Sequence, residues 1–224
     1  DGAVEQISIL DIDFDAYFNS QILKARKVSL DGMRLDVFRD KRLPRREGII
    51  KPMPQELMKN APLDMMVDSV TASNAFIRYQ EFAPRAMIPG SIRFEDLNFS
   101  LAPFALSKGD NKYPLEKMYL NADSKLMDEG LLELNSTMFF EAPYPMDMQV
   151  SIGKFDLRSV NSMVSNGVFV EIVSGKVKAG KWDFRINENE SWGKINLNYK
   201  DLKIQLLDTV SMLPGNGKLG LLTF

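Results

Sequence analysis

The sequence of 224 residues contains no cysteine and no histidine. Without cysteine the chain has no disulfide, no thiolate nucleophile and no cysteine-ligated metal or redox motif. Without histidine it lacks the commonest general acid or base and the commonest metal ligand. A Ser-His-Asp or Cys-His triad is therefore impossible, and enzymatic chemistry is restricted to carboxylate, Lys, Tyr or Ser-Lys arrangements.

A strong charge of one sign and long apolar runs are also missing. The 28 basic and 30 acidic residues give a net charge of −2, which offers no basic footprint for nucleic acid. No stretch approaches the roughly 18 apolar residues that would span a bilayer. The sequence starts at Asp1 without an initiator Met or a signal segment and stops within the apolar run 219–224, so we expect a fragment of a longer chain.

Period-two alternation of apolar and polar residues is the dominant pattern of the sequence. In 146–152 the apolar residues Met146, Met148, Val150 and Ile152 alternate with polar ones, and the same pattern occurs in 182–186 and 202–206. Because successive side chains of a strand point to opposite faces, each segment predicts a strand with one apolar face. Noisier versions of the pattern bring the total to about ten strands, which cover the following segments: 7–14, 27–38, 67–82, 91–101, 115–123, 131–140, 146–152, 168–177, 182–186 and 202–206.

Helical patterning is scarce. Pro54 near a first turn predicts a short helix over 54–60, and Asp156 as an N-cap predicts one or two turns over 158–165. Neither is long enough to cover ten strands. The expected fold is mainly β, a large curved antiparallel sheet in the form of a groove or an open sandwich, with one or two short helices. Its apolar face must be covered by a second sheet, by its own curvature or by an apolar ligand.

An internal repeat relates residues 67–101 to residues 170–206. With an offset of 103, six positions of the first segment fall on similar residues of the second, and after two extra residues Asp96-Leu97 falls on Asp201-Leu202. In both copies the alternating apolar residues shift by one position at this Asp-Leu pair, for example from Ile92 and Phe94 to Leu97 and Phe99. A strand can keep these residues on one face only if it contains a bulge or a tight turn there. A chance likeness between two amphipathic hairpins is the alternative.

Residues 170–207 carry a resemblance to a known family. A Ser-Gly pair opens a strand, an aromatic-rich strand follows, and Tyr199 precedes the Asp-Leu pair, in the segment VEIVSGKVKAGKWDFRINENESWGKINLNYKDLKIQLL. This segment resembles the C-terminal repeat of the AsmA-like envelope proteins of Gram-negative bacteria. Segments 27–44, 67–82 and 155–164 are similar to other parts of the same family, although Asn161-Ser162 stands where the family often has Asn-Pro.

The resemblance implies a single AsmA-like β region over 1–224, located in the periplasm. It also implies an anchor in the inner membrane through an N-terminal helix that is absent from this sequence. The sheet would curl into a long apolar groove that binds phospholipid, for transport between the inner and outer membranes or for outer-membrane biogenesis. No enzymatic activity and no cofactor are expected.

Alternating apolar residues of the later strands are the candidates for such a groove. The sequence has 13 methionines. Their flexible side chains suit varied acyl chains, and they suit an ordinary closed core equally well. The candidate residues are Leu132, Leu134, Met138, Phe140, Met146, Met148, Val150, Ile152, Ile195 and Leu197.

A basic segment follows the second predicted strand. Its cations are a candidate contact for anionic lipid headgroups or a partner, or they belong to a solvated loop. No aromatic residue is interleaved with them, so a nucleic-acid site is not expected. The candidate residues are Arg39, Lys41, Arg42, Arg45 and Arg46, with Lys51 nearby.

Two partial motif matches do not predict a calcium site or a dinucleotide-binding site. Asp11, Asp13 and Asp15 do not form a calcium loop, because Ala16 and Ile22 stand where an EF-hand requires Gly and an acid; alternation would instead turn Ile12 and Phe14 inward. The G-x-G-x-x-G at 215–220 has only four residues after it, too few for a dinucleotide-binding helix.

The alternatives to the lipid groove are a β-sandwich that binds protein or glycan through its loops and an enzyme that uses paired carboxylates.

Overall fold

The computed structural model describes residues 1–44, 48, 51–109, 114–208, 212–213 and 221–223. Over these residues the chain is mainly β, as the alternation predicts: fourteen strands form one open mixed sheet, accompanied by three short helices. The strands are β1 (Gly2–Ala3), β2 (Gln6–Asp13), β3 (Ile22–Asp31), β4 (Arg34–Asp40), β5 (Asn60–Phe82), β6 (Gly90–Ala102), β7 (Phe104–Lys108), β8 (Lys117–Leu126), β9 (Gly130–Phe139), β10 (Met146–Ile152), β11 (Phe155–Asp156), β12 (Val170–Ile186), β13 (Ser191–Leu206) and β14 (Leu221–Thr223). The helices are α1 (Phe14–Ser20), α2 (Pro54–Lys59) and α3 (Asn161–Val168), and a 3-10 turn at Leu157–Val160 precedes α3.

The sheet is not antiparallel throughout. Its main path runs β1-β4-β5-β6-β8-β9-β10-β12-β13-β14, and the long strand β5 pairs in parallel with β3 along its first half and with β4 along its second half. The prediction of a large, mainly antiparallel sheet is confirmed. These two parallel pairs were not foreseen, because alternation specifies the face of a side chain but not the direction of the neighbouring strand. The long connection from β4 to β5, which contains α2, provides the crossover that a parallel pair needs.

The two predicted helices are present, and a third was not predicted. Pro54 occupies the first turn of α2, and the Asp156 carboxylate accepts a hydrogen bond from the Arg158 N–H at 2.9 Å, which caps the 3-10 turn before α3. The unpredicted helix α1 starts where the Asp13 carboxylate accepts from the Ala16 N–H at 2.8 Å. The expectation that Phe14 faces inward is therefore wrong, since Phe14 opens α1 and is 62% exposed.

Strand register divides the sheet into one apolar and one polar face. One line of paired residues crosses nine strands, from β2 to β13, and all of its members are apolar; we call it the apolar row. The adjacent line crosses the same nine strands, and all of its members are polar. The apolar row consists of Ile7, Leu30, Ala72, Phe99, Ala122, Leu134, Val150, Trp182 and Ile195, and the polar row of Ser8, Ser29, Thr71, Ser100, Asn121, Asn135, Gln149, Asp183 and Lys194.

Helix α3 shows that the sheet curls toward its apolar face. It packs against both β6 and β12, which are not neighbours in the sheet. The Asn161 side chain donates to the Ile172 carbonyl and accepts from the Ile172 N–H, each at 2.9 Å, while the Ser162 hydroxyl donates to the Ser91 carbonyl at 2.7 Å. One helix can bridge these two strands only if the apolar face between them is concave.

Helix α2 makes a second bridge at the opposite strand ends. It packs against β5 and β7, and the Gln55 amide donates to the carbonyls of Tyr144 and Pro145 in the β9–β10 connection, at 3.0 and 3.2 Å. The Lys59 ammonium also donates to the Phe140 carbonyl at 3.2 Å. The curved sheet is thus bridged at both ends of its central strands.

The two segments related by the offset of 103 form similar hairpins. Strands β5 and β6 pair antiparallel, as do β12 and β13. The irregularity expected at the Asp-Leu pair is present in both: Asp96 and Asp201 have φ values of +49° and +54°, and the register shifts beside each. Positive φ is tolerated by Asp more readily than by most residues, which explains why an acidic residue suits both bulges.

Candidate ligand groove

A cavity of about 500 Å³ lies on the concave apolar face, between the two helical bridges. We call it the groove. Its volume is in the range of small-molecule sites, roughly 300–1,000 Å³. The residues that line it are Pro54, Met58, Ile77, Phe94, Leu97, Phe99, Leu101, Phe104, Met118, Leu120, Ala122, Asp123, Ser124, Leu132, Leu134 and Met138.

The middle of the apolar row forms the floor of the groove. Phe99 of β6, Ala122 of β8 and Leu134 of β9 are paired side by side in the sheet and all line the cavity. Ala122 is the smallest of the three, so its methyl group leaves space between two large neighbours. The depth of the groove therefore arises from a small residue at the centre of a curved sheet.

A cluster of buried side chains closes the groove beside α2. Met118, Met138 and Phe140 are each at most 6% exposed, and Met58 of α2 packs against them. We call this the α2-end cluster. Met146 packs there as well, so the cluster contains four methionines, whose unbranched side chains adapt to irregular space, and this end can adjust to what lies in the groove.

A second cluster closes the groove beside α3. Leu126, Ile152 and Val177 are buried there, and Trp182 and Leu157 pack against them. We call this the α3-end cluster. On β9, Leu132 packs against the α3-end cluster and Met138 belongs to the α2-end cluster. These residues are six positions apart, so the groove is about 20 Å long along the strands.

Three polar atoms beneath this apolar surface have no hydrogen-bond partner in the described structure. They are the hydroxyl oxygens of Ser124 and Ser136 and the Gln55 side-chain carbonyl oxygen. Ser124 is 2% exposed and lines the groove. Since an unsatisfied buried polar group costs about 1–3 kcal/mol, such groups call for an explanation in each case.

The groove has almost no charge of its own. Asp123 is the one ionisable residue among those that line it, and its carboxylate accepts a hydrogen bond from the Asn98 amide at 3.0 Å on the polar face. An apolar lining with a neutral floor suits a hydrocarbon and offers no acid–base pair to a substrate.

Eight of the ten predicted groove residues divide into three sets. Leu132, Leu134 and Met138 line the groove. Phe140 and Met146 belong to the α2-end cluster and Ile152 to the α3-end cluster, while Met148 and Val150 are half-buried on the same face, paired with Ser136 and Leu134 of β9.

Ile195 and Leu197 lie on the same face but outside the groove. They are 60% and 40% exposed. Strand β13 lies near the margin of the sheet: within the described residues it pairs with β12 along its length and with β14 over three residues, and we call it the marginal strand. Alternation correctly places their side chains on the apolar face, and position in the sheet decides that they remain exposed.

Sequence reasoning missed the contribution of β6, β8 and α2 to the groove. Leu97, Phe99, Leu120 and Ala122 follow the same alternation that selected the β9 and β10 residues, so the pattern contained this signal. No local pattern indicated Met58, which reaches the groove only because α2 crosses to the β9–β10 connection.

Three of the predicted basic residues, Arg39, Lys41 and Arg42, are engaged within the chain. Lys41 and Arg39 form ion pairs with Glu81 at 2.6 and 3.7 Å, and Arg42 forms a bidentate pair with Asp40 and lies 3.6 Å from the centre of the Phe82 ring. Burial would raise the pKa of Glu81, but Lys41 and Tyr79 outweigh it and lower that pKa. Arg45 and Arg46 lie outside the described residues, and a headgroup role for this segment stays a prediction.

The polar face carries a shallow depression of about 560 Å³, lined by Thr71, Ser100, Asn121 and Asn135 among others. Across the described ranges, no group of three acidic side chains is placed to hold a metal ion. In the same residues, none of the helices has the length and apolarity to cross a bilayer.

Comparison with known proteins gives no family assignment. No protein-family model matches the chain, and a search of curated proteins finds no significant match. The resemblance of 170–207 to AsmA-like envelope proteins therefore stays a prediction.

Proposed function

We propose that this chain is a non-enzymatic lipid-binding protein whose groove holds acyl chains of phospholipid. The observation that carries the proposal is the groove itself, an apolar cavity of about 500 Å³ on the concave face of an open sheet, bridged by a helix at each end.

The dimensions support an acyl ligand. A groove of about 20 Å accommodates the roughly 15 Å that an acyl chain spans in one leaflet of a bilayer. Burial contributes about 0.8 kcal/mol per methylene group, so ten methylenes in the groove contribute about 8 kcal/mol before the cost of ordering the chain. No charged partner is needed for such binding.

The cellular role follows from the resemblance and belongs to the same proposal. The protein acts in the periplasm, anchored to the inner membrane through a segment outside this sequence, and carries phospholipid between the inner and outer membranes or supports outer-membrane biogenesis. The single open sheet supports a groove better than it supports the alternative of two sealed sheets, since all described strands belong to one hydrogen-bonded sheet.

Lipid extraction and mass analysis of the full chain, purified from a bacterial envelope, test the proposal. The wild-type chain is expected to retain phospholipid. Ala122→Leu fills the centre of the floor with apolar volume and should displace the lipid, whereas Ile195→Leu, a change on the same row at the exposed margin, should leave it bound. Circular dichroism checks that both variants are folded.

Two results would overturn the proposal. One is a wild-type chain that carries no phospholipid and acquires none from vesicles. The other is an Ala122→Leu chain that is folded and retains as much phospholipid as the wild type, because the lipid would then lie elsewhere.

A further inference from the structure

Ser124 is an anomaly in the floor of the groove. Its hydroxyl oxygen is buried and has no hydrogen-bond partner among the described residues. Its neighbours in the groove are apolar: Leu132 is paired with it on β9, and Leu97 belongs to the bulge of β6 that faces it. A floor built only to hold hydrocarbon would be served better by Ala or Val at this position. A buried polar group without a partner calls for an explanation, and for a residue that lines a cavity one explanation is a partner supplied by the ligand.

The bulge of β6 gives Ser124 an unusual setting. The register shifts between Glu95 and Asn98, so Asp96 and Leu97 together face Ser124 across the β6–β8 pair. Asp96 has a φ of +49°, and its carboxylate pairs with the Lys125 ammonium at 2.9 Å. The Asp96 side chain is thus engaged with the residue next to Ser124 and is not a partner for the Ser124 hydroxyl.

We propose that Ser124 donates a hydrogen bond to the ester carbonyl at the base of an acyl chain bound in the groove. This inference rests on the proposed function and adds the chemical class of the ligand: an ester-linked acyl lipid rather than any hydrocarbon of suitable length. Ser124 lines the groove, so its side chain is in position to meet a ligand held there. The ester then lies beside the α3-end cluster, and the chain extends from there toward α2.

Ser136 provides a matched comparison. It is also buried without a partner for its hydroxyl, and it lies on the same face, paired with Leu120 and Met148. It is not among the residues that line the groove. Removal of the Ser136 hydroxyl should therefore leave ligand preference unchanged.

Binding of two phospholipids that differ only at the ester tests the inference. The probes are a diacyl phospholipid and its diether analogue with the same chains and headgroup, offered from vesicles to the full, delipidated chain. Trp182 packs against the α3-end cluster and reports binding by fluorescence in a Trp192→Phe background, which removes the second, exposed tryptophan. A diacylglycerol with the same chains separates recognition of the ester from recognition of the headgroup.

The wild-type background is expected to bind the diester about tenfold more tightly than the diether, the effect of one hydrogen bond formed in a site shielded from water. Ser124→Ala should abolish this preference and leave the affinity for the diether unchanged, and Ser136→Ala should retain it. Ser124→Cys, which keeps the size of the side chain but donates only weakly, repeats the test if the alanine variant is unstable.

Each other outcome has a definite meaning. Equal affinities for the two lipids in the wild-type background, or a preference that persists in Ser124→Ala, overturn the role of Ser124 while the lipid groove stands. Equal loss of both lipids in a folded Ser124→Ala chain assigns the residue to packing and also overturns the inference. If none of the three probes binds, the lipid groove itself is overturned.

Discussion

The β8–β9 hairpin and the β12–β13 hairpin have the same alternation and very different surroundings. In the first, both strands have a further neighbour, β6 on one side and β10 on the other, and Met118 is 1% exposed. In the second, β13 is marginal, and Ile195 on the same face is 60% exposed. Alternation therefore determines the face of a side chain, and the order of strands with the helices above them determines its burial.

The marginal hairpin is held together differently from the central one. The Phe184 ring lies over Gly193 of β13, and the Trp182 ring lies across Gly180 of its own strand. Small residues beside aromatic rings let the two strands pair closely along β13, which is largely exposed. Strand β12 also contributes Val177 and Trp182 to the α3-end cluster, whereas the central hairpin contributes residues to both end clusters.

The largest expected difference between the hairpins is in the cost of truncating an apolar side chain. Met118→Ala should lower the free energy of unfolding by about 2–5 kcal/mol, since it removes a fully buried side chain from the α2-end cluster. Ile195→Ala should change it by at most about 0.5 kcal/mol, because that side chain is largely in water. Urea unfolding followed by circular dichroism measures both.

Equal costs for the two truncations would contradict the comparison. A large cost at Ile195 would mean that something covers β13 in solution. A small cost at Met118 would mean that the α2-end cluster does not contribute to global stability, and the helical bridge would then be a local feature.

A smaller effect, confined to the marginal hairpin, is expected from Gly193→Ala. A Cβ atom at this position would lie 2.5 Å from the Asp183 carbonyl oxygen, so the backbone of β12 or β13 must move. We expect a loss of about 1–3 kcal/mol in the free energy of unfolding, as for other overpacked sites. Hydrogen exchange should show the loss of protection over 191–199 first.

Gly109→Ala is the control for this prediction. Among the described residues, apart from its chain neighbours, no atom lies within 4 Å of a Cβ built there, and its φ is not in the left-handed region, so stability should change by less than about 0.5 kcal/mol. Tolerance of Gly193→Ala with unchanged protection of β13 would show that the marginal strand adapts freely and is not tightly paired.

The faces of the sheet were predictable from sequence because they depend on a local period. The apolar row and the polar row repeat one rule on nine strands, and Asp156 as an N-cap and Pro54 in a first turn are local signals of the same kind. The bulges at Asp96 and Asp201 were also predictable, because a change of apolar parity within a strand requires an extra residue.

The groove was only partly predictable, since it depends on contacts between distant residues. Leu134 and Ile195 are equivalent in the alternation, and no local pattern distinguishes the one in the cavity from the one in water. The parallel pairing of β5 and the crossing of α2 to the β9–β10 connection are also nonlocal. Helix α1 was missed because alternation through Ile12 concealed the cap at Asp13.

The smallest expected effect concerns pH and the α3 end of the central region. The side chain of Arg158, and then its backbone N–H, lower the pKa of Asp156 from its ordinary value of 3.8 to about 2. A carboxyl with a lowered pKa contributes stability that is fully present above pH 3.8 and is lost as the pH falls toward about 2. Because Asp156 caps the turn that holds Leu157 over the α3-end cluster, acid should loosen this end before it affects β13.

Hydrogen exchange over 157–168 and over 191–199, measured as the pH falls from 3.8 toward about 2, checks the order. Asp156→Asn keeps an acceptor for the Arg158 N–H but cannot titrate, so its protection over 157–168 should no longer depend on pH in this window; an unchanged dependence would assign the acid sensitivity to other carboxylates.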